Sequence, residues 1–164
     1  MARPPAAARL LAAWFGAGYL PIAPGTWGSA GALPLAYPIA LVGGGAAVAV
    51  AAALLFVAGL WAAGRVLRPG GLKDPGDIVI DEVAGQMIAL APIALDLRYW
   101  PLAFVLFRLA DVVKPWPASW AERRLPGALG LMTDDVVAGL YAAAGCWLAA
   151  WAFGSAPGWG FPGR

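Results

Sequence analysis

The sequence predicts an all-α integral membrane protein. We expect a single domain over residues 1–164, built as a bundle of about five apolar helices with a Gly/Pro-rich N-terminal loop and an interfacial segment. Three observations predict it. The chain is 62% hydrophobic and only 12% charged, with a mean hydropathy of +0.74, whereas a soluble domain carries about 25% charged residues. The stretches 31–64 and 136–163 contain no charged residue, and each exceeds the roughly 20 residues that span a bilayer. Finally, seven of the nine carboxylates fall at three places, 74–82, 111 and 134–135. A carboxylate beside a membrane-like core is costly unless it is paired or binds a cation, so this distribution points to a site.

Residues 4–15, entered through Pro4-Pro5, read as a short amphipathic helix at the interface. The stretch from Gly16 to Ser29 is broken by glycines and prolines and reads as a structured loop. Its backbone N–H groups, with the Thr26 and Ser29 hydroxyls, are candidates to cradle a phosphate; the plainer reading has Thr26 capping the next helix. Residues 27–42 and 46–66 form two apolar helices joined at Gly43-Gly44-Gly45. Arg65, Arg68 and Lys73 mark the end that stays in the cytoplasm, with Arg9 on the same face.

A helix is predicted from about 75 to 91, with Asp74 as N-cap, Pro75 in the first position and Pro92 as the stop. Capping accounts for Asp74 and Asp77. It does not account for Asp81 and Glu82, which this reading places two turns inside an apolar helix. Residues 100–113 form another apolar helix, stopped at Lys114-Pro115. Asp111 sits in its last turn, where the helix dipole disfavours an anion. Either Arg108, three residues earlier, neutralises it in a salt bridge, or Asp111 and Lys114 together present metal and phosphate ligands. Asp96 and Arg98 fall in a turn on the opposite face with no assigned role. Residues 116–130 fit the headgroup level, and Thr133 caps a final helix with Asp134 and Asp135 in its first turn.

One internal comparison joins two of these places. Residues 81–85 and 135–139 share the pattern D-x-V-A-G. Small residues let membrane helices approach closely, so these helices are expected to pack near Gly85 and Gly139. That would bring Asp81 and Asp135 together, with Asp111 as a third wall.

The absences narrow the chemistry. The chain has no histidine and one cysteine, Cys146, which removes imidazole chemistry and the usual zinc ligands. Cys146 lacks the arginine of a cysteine phosphatase loop, and neither D-x-D-x-T/V nor D-G-x-x-A-R occurs. A net charge of +2 gives no reason to expect nucleic acid. Carboxylates without His or Cys select hard cations, Mg²⁺ foremost. A Mg²⁺ site beside Lys114 at a lipid-facing surface suits a phosphorylated lipid headgroup, with either a water or an aspartate as nucleophile. A cation transporter using the same carboxylates is the alternative. A structural subunit with capped helices is a third reading.

Four segments carry a resemblance: P-I-A-P-G-T-W-G-S (21–29), D-P-G-D-I-V-I-D-E-V-A-G-Q (74–86), F-R-L-A-D-V-V-K-P-W-P (107–117) and G-L-M-T-D-D-V-V-A-G (130–139). Together they resemble the phosphatidylglycerophosphatase A family over nearly the whole chain. The resemblance implies Mg²⁺-dependent hydrolysis of phosphatidylglycerophosphate at the cytoplasmic face of a bacterial inner membrane. It implies Asp74, Asp81, Glu82, Asp111, Asp134 and Asp135 as metal ligands. Asp81, Glu82, Asp111, Lys114 and Asp135 would be catalytic, and Thr26, Ser29, Arg108 and Lys114 would meet the substrate. The expected partners are the bilayer and the phospholipid, and self-association is left open.

Overall fold

The computed structural model describes residues 4–67 and 76–153, and among these there is no strand. Arg68, Lys73 and Asp74 lie outside the described residues. Six α-helices follow in order: α1 (Ala6–Ala12), α2 (Pro24–Val66), α3 (Ile80–Leu90), α4 (Trp100–Val113), α5 (Ala118–Arg124) and α6 (Gly127–Ala152). A 3₁₀ segment, Trp14–Tyr19, links α1 to α2.

The 43 residues of α2 do not run straight. Gly43 and Gly44 leave helical geometry, with Gly44 at φ 60°. Gly25 lies against Glu82 while Gly59 lies against Ile80. A straight helix would hold residues 25 and 59 about 50 Å apart, so the chain folds back at the glycines. The expected hairpin is therefore present. Its inner face is a row of small side chains, Ala32, Ala36, Ala40, Val48 and Ala52, all buried against α3 and its neighbours.

Helices α2 and α6 are long and apolar enough to cross a membrane. Only 28% and 33% of their most apolar windows are buried, and Leu41, Val42, Leu54, Val57, Leu140 and Leu148 are exposed. An apolar surface of that extent suits lipid rather than water. Helix α3 has 11 residues and α4 has 14, too short for a bilayer core of about 30 Å at 1.5 Å per residue. The all-α class is as expected, but among the described residues only α2 and α6 reach spanning length, so an integral bundle of five helices is not what these elements amount to.

The crossing of α3 over α6 falls where D-x-V-A-G predicted it. A Cβ on Gly139 would stand 2.5 Å from the Gly85 carbonyl oxygen, and one on Gly85 would stand 2.6 Å from that of Asp135. The two backbones are in contact, and no side chain fits between them. We therefore expect Gly139→Ala to lower the unfolding midpoint in detergent, at a cost of about 1–3 kcal/mol, and to reduce activity by pushing Asp81 away from Asp135. Gly64→Ala is the control, since its Cβ would meet only Ala128 at 3.9 Å. It should be neutral or mildly stabilising.

Candidate active site

The site lies at one end of the bundle. Helix α3 starts at Ile80 rather than near residue 75, because a non-local contact captures the preceding backbone: Val79 N–H donates to the Ala12 carbonyl at 2.9 Å, and the Asp77 carbonyl packs on Gly18. Asp77 thus occupies a turn outside the helix. Asp81 and Glu82 consequently fall in the first turn of α3, not two turns inside it, where the positive end of the helix dipole favours carboxylates. The opposite correction applies to α6. It begins at Gly127, so Asp134 and Asp135 lie two turns in, and Thr133 is inside the helix rather than its cap.

Across the glycine crossing, Asp81, Glu82 and Asp135 each offer a carboxylate oxygen, all within 4.8 Å of one another. Asp81 and Asp135 are 4% and 3% exposed. Asp111, from the last turn of α4, lies close enough to Asp135 for the two like charges to oppose one another. Arg108 closes this side. Its Nη1 lies 2.7 Å from Asp111, 3.9 Å from Glu82 and 3.3 Å from Ser29 Oγ, which it meets as a donor. The Ser29 hydroxyl donates in turn to the Gly25 carbonyl at 2.9 Å. A side chain at Gly25 would collide with the Glu82 carboxylate and Arg108, so that glycine lets the start of α2 close over the site.

The loop expected over 16–29 is shorter than the sequence suggested. Pro24 opens α2, as proline does at a first helical position, and Thr26 and Ser29 stand in the first two turns of that helix. Ser29 meets Arg108 and the Gly25 carbonyl; Thr26 sits one turn earlier and half-buried. The salt bridge anticipated as the plainer account of Arg108 and Asp111 is present.

Lys114 has different partners. Its backbone, at φ 47°, turns the chain after α4. Its ammonium lies 2.7 Å from Asp134 and 2.9 Å from Glu122 of α5. Asp134 also accepts the Asp135 N–H at 2.9 Å, so Lys114 anchors the carboxylate next to the cluster. Burial alone would lower the Lys114 pKa, but the hydrogen bonds to Asp134 and Glu122 outweigh it and hold the ammonium above the ordinary 10.5. With a raised folded value, the stabilisation is complete below the unfolded lysine value of about 10.4 and fades as pH rises past it. Lys114→Met strands a carboxylate that is 3% exposed, and should cost up to about 3 kcal/mol near neutral pH. Unfolding midpoints of variant and wild type should converge as pH climbs above 11.

Glu122 was not singled out in the sequence, where it reads as one charge among Arg123 and Arg124. Gln86 was also missed. It is fully buried, and neither its Oε1 nor its Nε2 has a hydrogen-bond partner among the described residues. The signal was available: a primary amide one turn after Glu82, in an apolar helix. Asp96 and Arg98 pair with each other at 2.7 Å, away from the cluster.

The donor set fits a hard cation. It is all oxygen, it gathers like charges that oppose one another at short range, and Glu82 Oε2 is buried with no hydrogen-bond partner among the described residues. Such a site can bind a divalent cation and, through Arg108 and Ser29, a phosphoryl group.

The sequence model of the family described as phosphatidylglycerophosphatase A matches residues 10–150. A protein of Escherichia coli named phosphatidylglycerophosphatase A is 37% identical over 135 residues, covering 82% of this chain and 78% of that protein. One of the same name from Haemophilus influenzae is 38% identical over 134 residues, covering 81% and 82%. A Bacteroides thetaiotaomicron protein provisionally named phosphatidylinositol-3-phosphatase is 37% identical over 164 residues, covering 94% and 100%. No solved structure matches.

Proposed function

Since the chain belongs to the phosphatidylglycerophosphatase A family, whose named relatives are lipid phosphatases, we propose that it hydrolyses phosphatidylglycerophosphate to phosphatidylglycerol and inorganic phosphate. The observation that carries this is the meeting of Asp81, Glu82 and Asp135 within 4.8 Å, beside the Arg108–Ser29 pair at one end of an apolar bundle.

Asp81, Glu82 and Asp135, with Asp111 beside them, are the residues that would hold Mg²⁺. When bound, it supplies neutralisation of the phosphoryl oxygens and a lowered pKa for a water. Arg108 offers its guanidinium to the phosphoryl oxygens, and Ser29 helps to orient it by accepting a hydrogen bond from Nη1. In the hydrolysis a water oxygen bonds to phosphorus, the bond from phosphorus to the lipid oxygen breaks, and that oxygen leaves as a hydroxyl. A carboxylate of the cluster takes the proton from the water and returns it to the departing lipid oxygen. Direct attack by an aspartate, followed by hydrolysis of the acyl phosphate, uses the same residues. Lys114, itself held by Glu122, pairs with Asp134 and so fixes the adjoining turn of α6.

The protein is read as a multi-pass component of a bacterial cytoplasmic membrane with this site on the cytoplasmic side. The basic residues support that orientation. Arg65 ends α2, Lys114 follows α4, and Arg123 and Arg124 end α5, all at the end that carries the site, whereas Arg98 lies at the other.

Phosphate release from phosphatidylglycerophosphate and from phosphatidylinositol 3-phosphate, each in the same detergent micelles, tests the substrate. The first should be turned over at least about tenfold more efficiently. A preference for the second would move the assignment toward the activity named for the Bacteroides relative.

A further inference from the structure

A groove of about 720 Å³ runs between the first arm of α2 and α4, lined by Ala30, Leu33, Pro34 and Tyr37 on one side and by Trp100 and Phe104 on the other. Its lining begins at Ala30, the residue after Ser29. Phe104 lies one turn before Arg108, so the face of α4 that walls the groove also presents Arg108, whereas Ser29 shares the buried face of α2 with Ala32, Ala36 and Ala40. Two contacts join α2 to α4, one near each end of the groove. At one, Arg108 Nη1 meets Ser29 Oγ at 3.3 Å. At the other, the Tyr37 and Trp100 rings pack edge to face, with centroids 6.2 Å apart. Ser29 to Tyr37 and Arg108 to Trp100 are both eight residues, so the groove is about 12 Å long. A cationic, hydrogen-bonding end and an apolar body match an anionic lipid in both polarity and order.

We propose that this groove binds one acyl chain of the lipid substrate, so that the chain draws the headgroup phosphate onto Arg108. The proposal rests on the lipid phosphatase reading and adds a chain-binding subsite to it. Bulk bilayer lipid and a second copy of the protein are the competing occupants. The aromatic pair sets a limit to the depth of chain that is held.

The test is steady-state hydrolysis of phosphatidylglycerophosphate at varied mole fraction in micelles. The deacylated headgroup, which has no chain, serves as a competitive inhibitor. Leu33→Trp fills the groove and should raise the KM for the lipid on the order of tenfold, leaving the Ki of the deacylated headgroup and the oligomeric state unchanged. Leu140→Trp, in a separate apolar groove between α2 and α6, should leave both constants unchanged. An unchanged KM in Leu33→Trp overturns the proposal in favour of bulk lipid. So does an equal rise in Leu140→Trp, or a changed oligomeric state in Leu33→Trp. Absence of hydrolysis by folded wild-type protein is a different result, and it would remove the phosphatase reading itself.

Discussion

Asp81→Asn should leave a folded, membrane-extracted protein that has lost phosphate release by about 1,000-fold or more. Asparagine keeps the shape of aspartate, so the crossing of α3 over α6, built on Gly85 and Gly139, is preserved. What is removed is one carboxylate from a group of three whose oxygens lie within 4.8 Å. Holding like charges that close opposes folding. The variant should therefore unfold at the same temperature as wild type or slightly above it, the pattern of a residue retained for function at some expense of stability. Asp135→Asn should behave in the same way. The double variant should be scarcely worse than either single one, because the carboxylates act as a unit. Circular dichroism and unfolding midpoints alongside phosphate release separate this from loss of fold.

Arg108→Leu should have the second-largest effect, a fall in kcat of about 100- to 1,000-fold. The guanidinium meets Asp111 at 2.7 Å, Glu82 at 3.9 Å and Ser29 at 3.3 Å. Leucine removes all three contacts and leaves Asp111 facing Asp135 with its counter-charge gone, so stability should fall as well. Arg108→Lys separates the two effects. A lysine keeps the charge near Asp111 but lacks the planar fork that reaches several oxygens together. It should recover most of the stability and only a minor part of the rate. Equal recovery of both would make Arg108 a structural counter-ion alone.

Both predictions use residues that were legible in the sequence, and the reason is local. Asp81 and Asp135 stand out because D-x-V-A-G recurs on two apolar helices, and small residues at a fixed offset from an acid report both a helix crossing and what the crossing brings together. The apolar segments and the triple-glycine reversal were legible for the same reason. What was not legible depended on partners distant in the chain. Nothing near residue 77 announces that Val79 will bond to Ala12, and that bond delays the start of α3 to Ile80. The start of α6 at Gly127 placed Asp134 and Asp135 two turns inside a helix whose capping signal, Thr133-Asp134, was a decoy. Lys114 was expected to face the substrate. It pairs with Asp134 and with Glu122, whose role depends on α5 folding back against α6, and its part in binding substrate stays a proposal. Gln86 was overlooked because an amide in a helix carries no charge to attract attention. Asp74 lies outside the described residues, so its assignment as a metal ligand stays a proposal.

The most direct test of the central claim, that the carboxylate cluster is a cation-dependent hydrolytic site for a lipid phosphate, is metal dependence. Phosphate release from phosphatidylglycerophosphate would be followed with purified wild-type protein in Mg²⁺, after chelation, and after Mg²⁺ is restored. The account predicts release that stops with the chelator and returns with the ion, with Asp81→Asn inactive throughout. Release undiminished by chelation, or equal in Asp81→Asn and wild type, would contradict it.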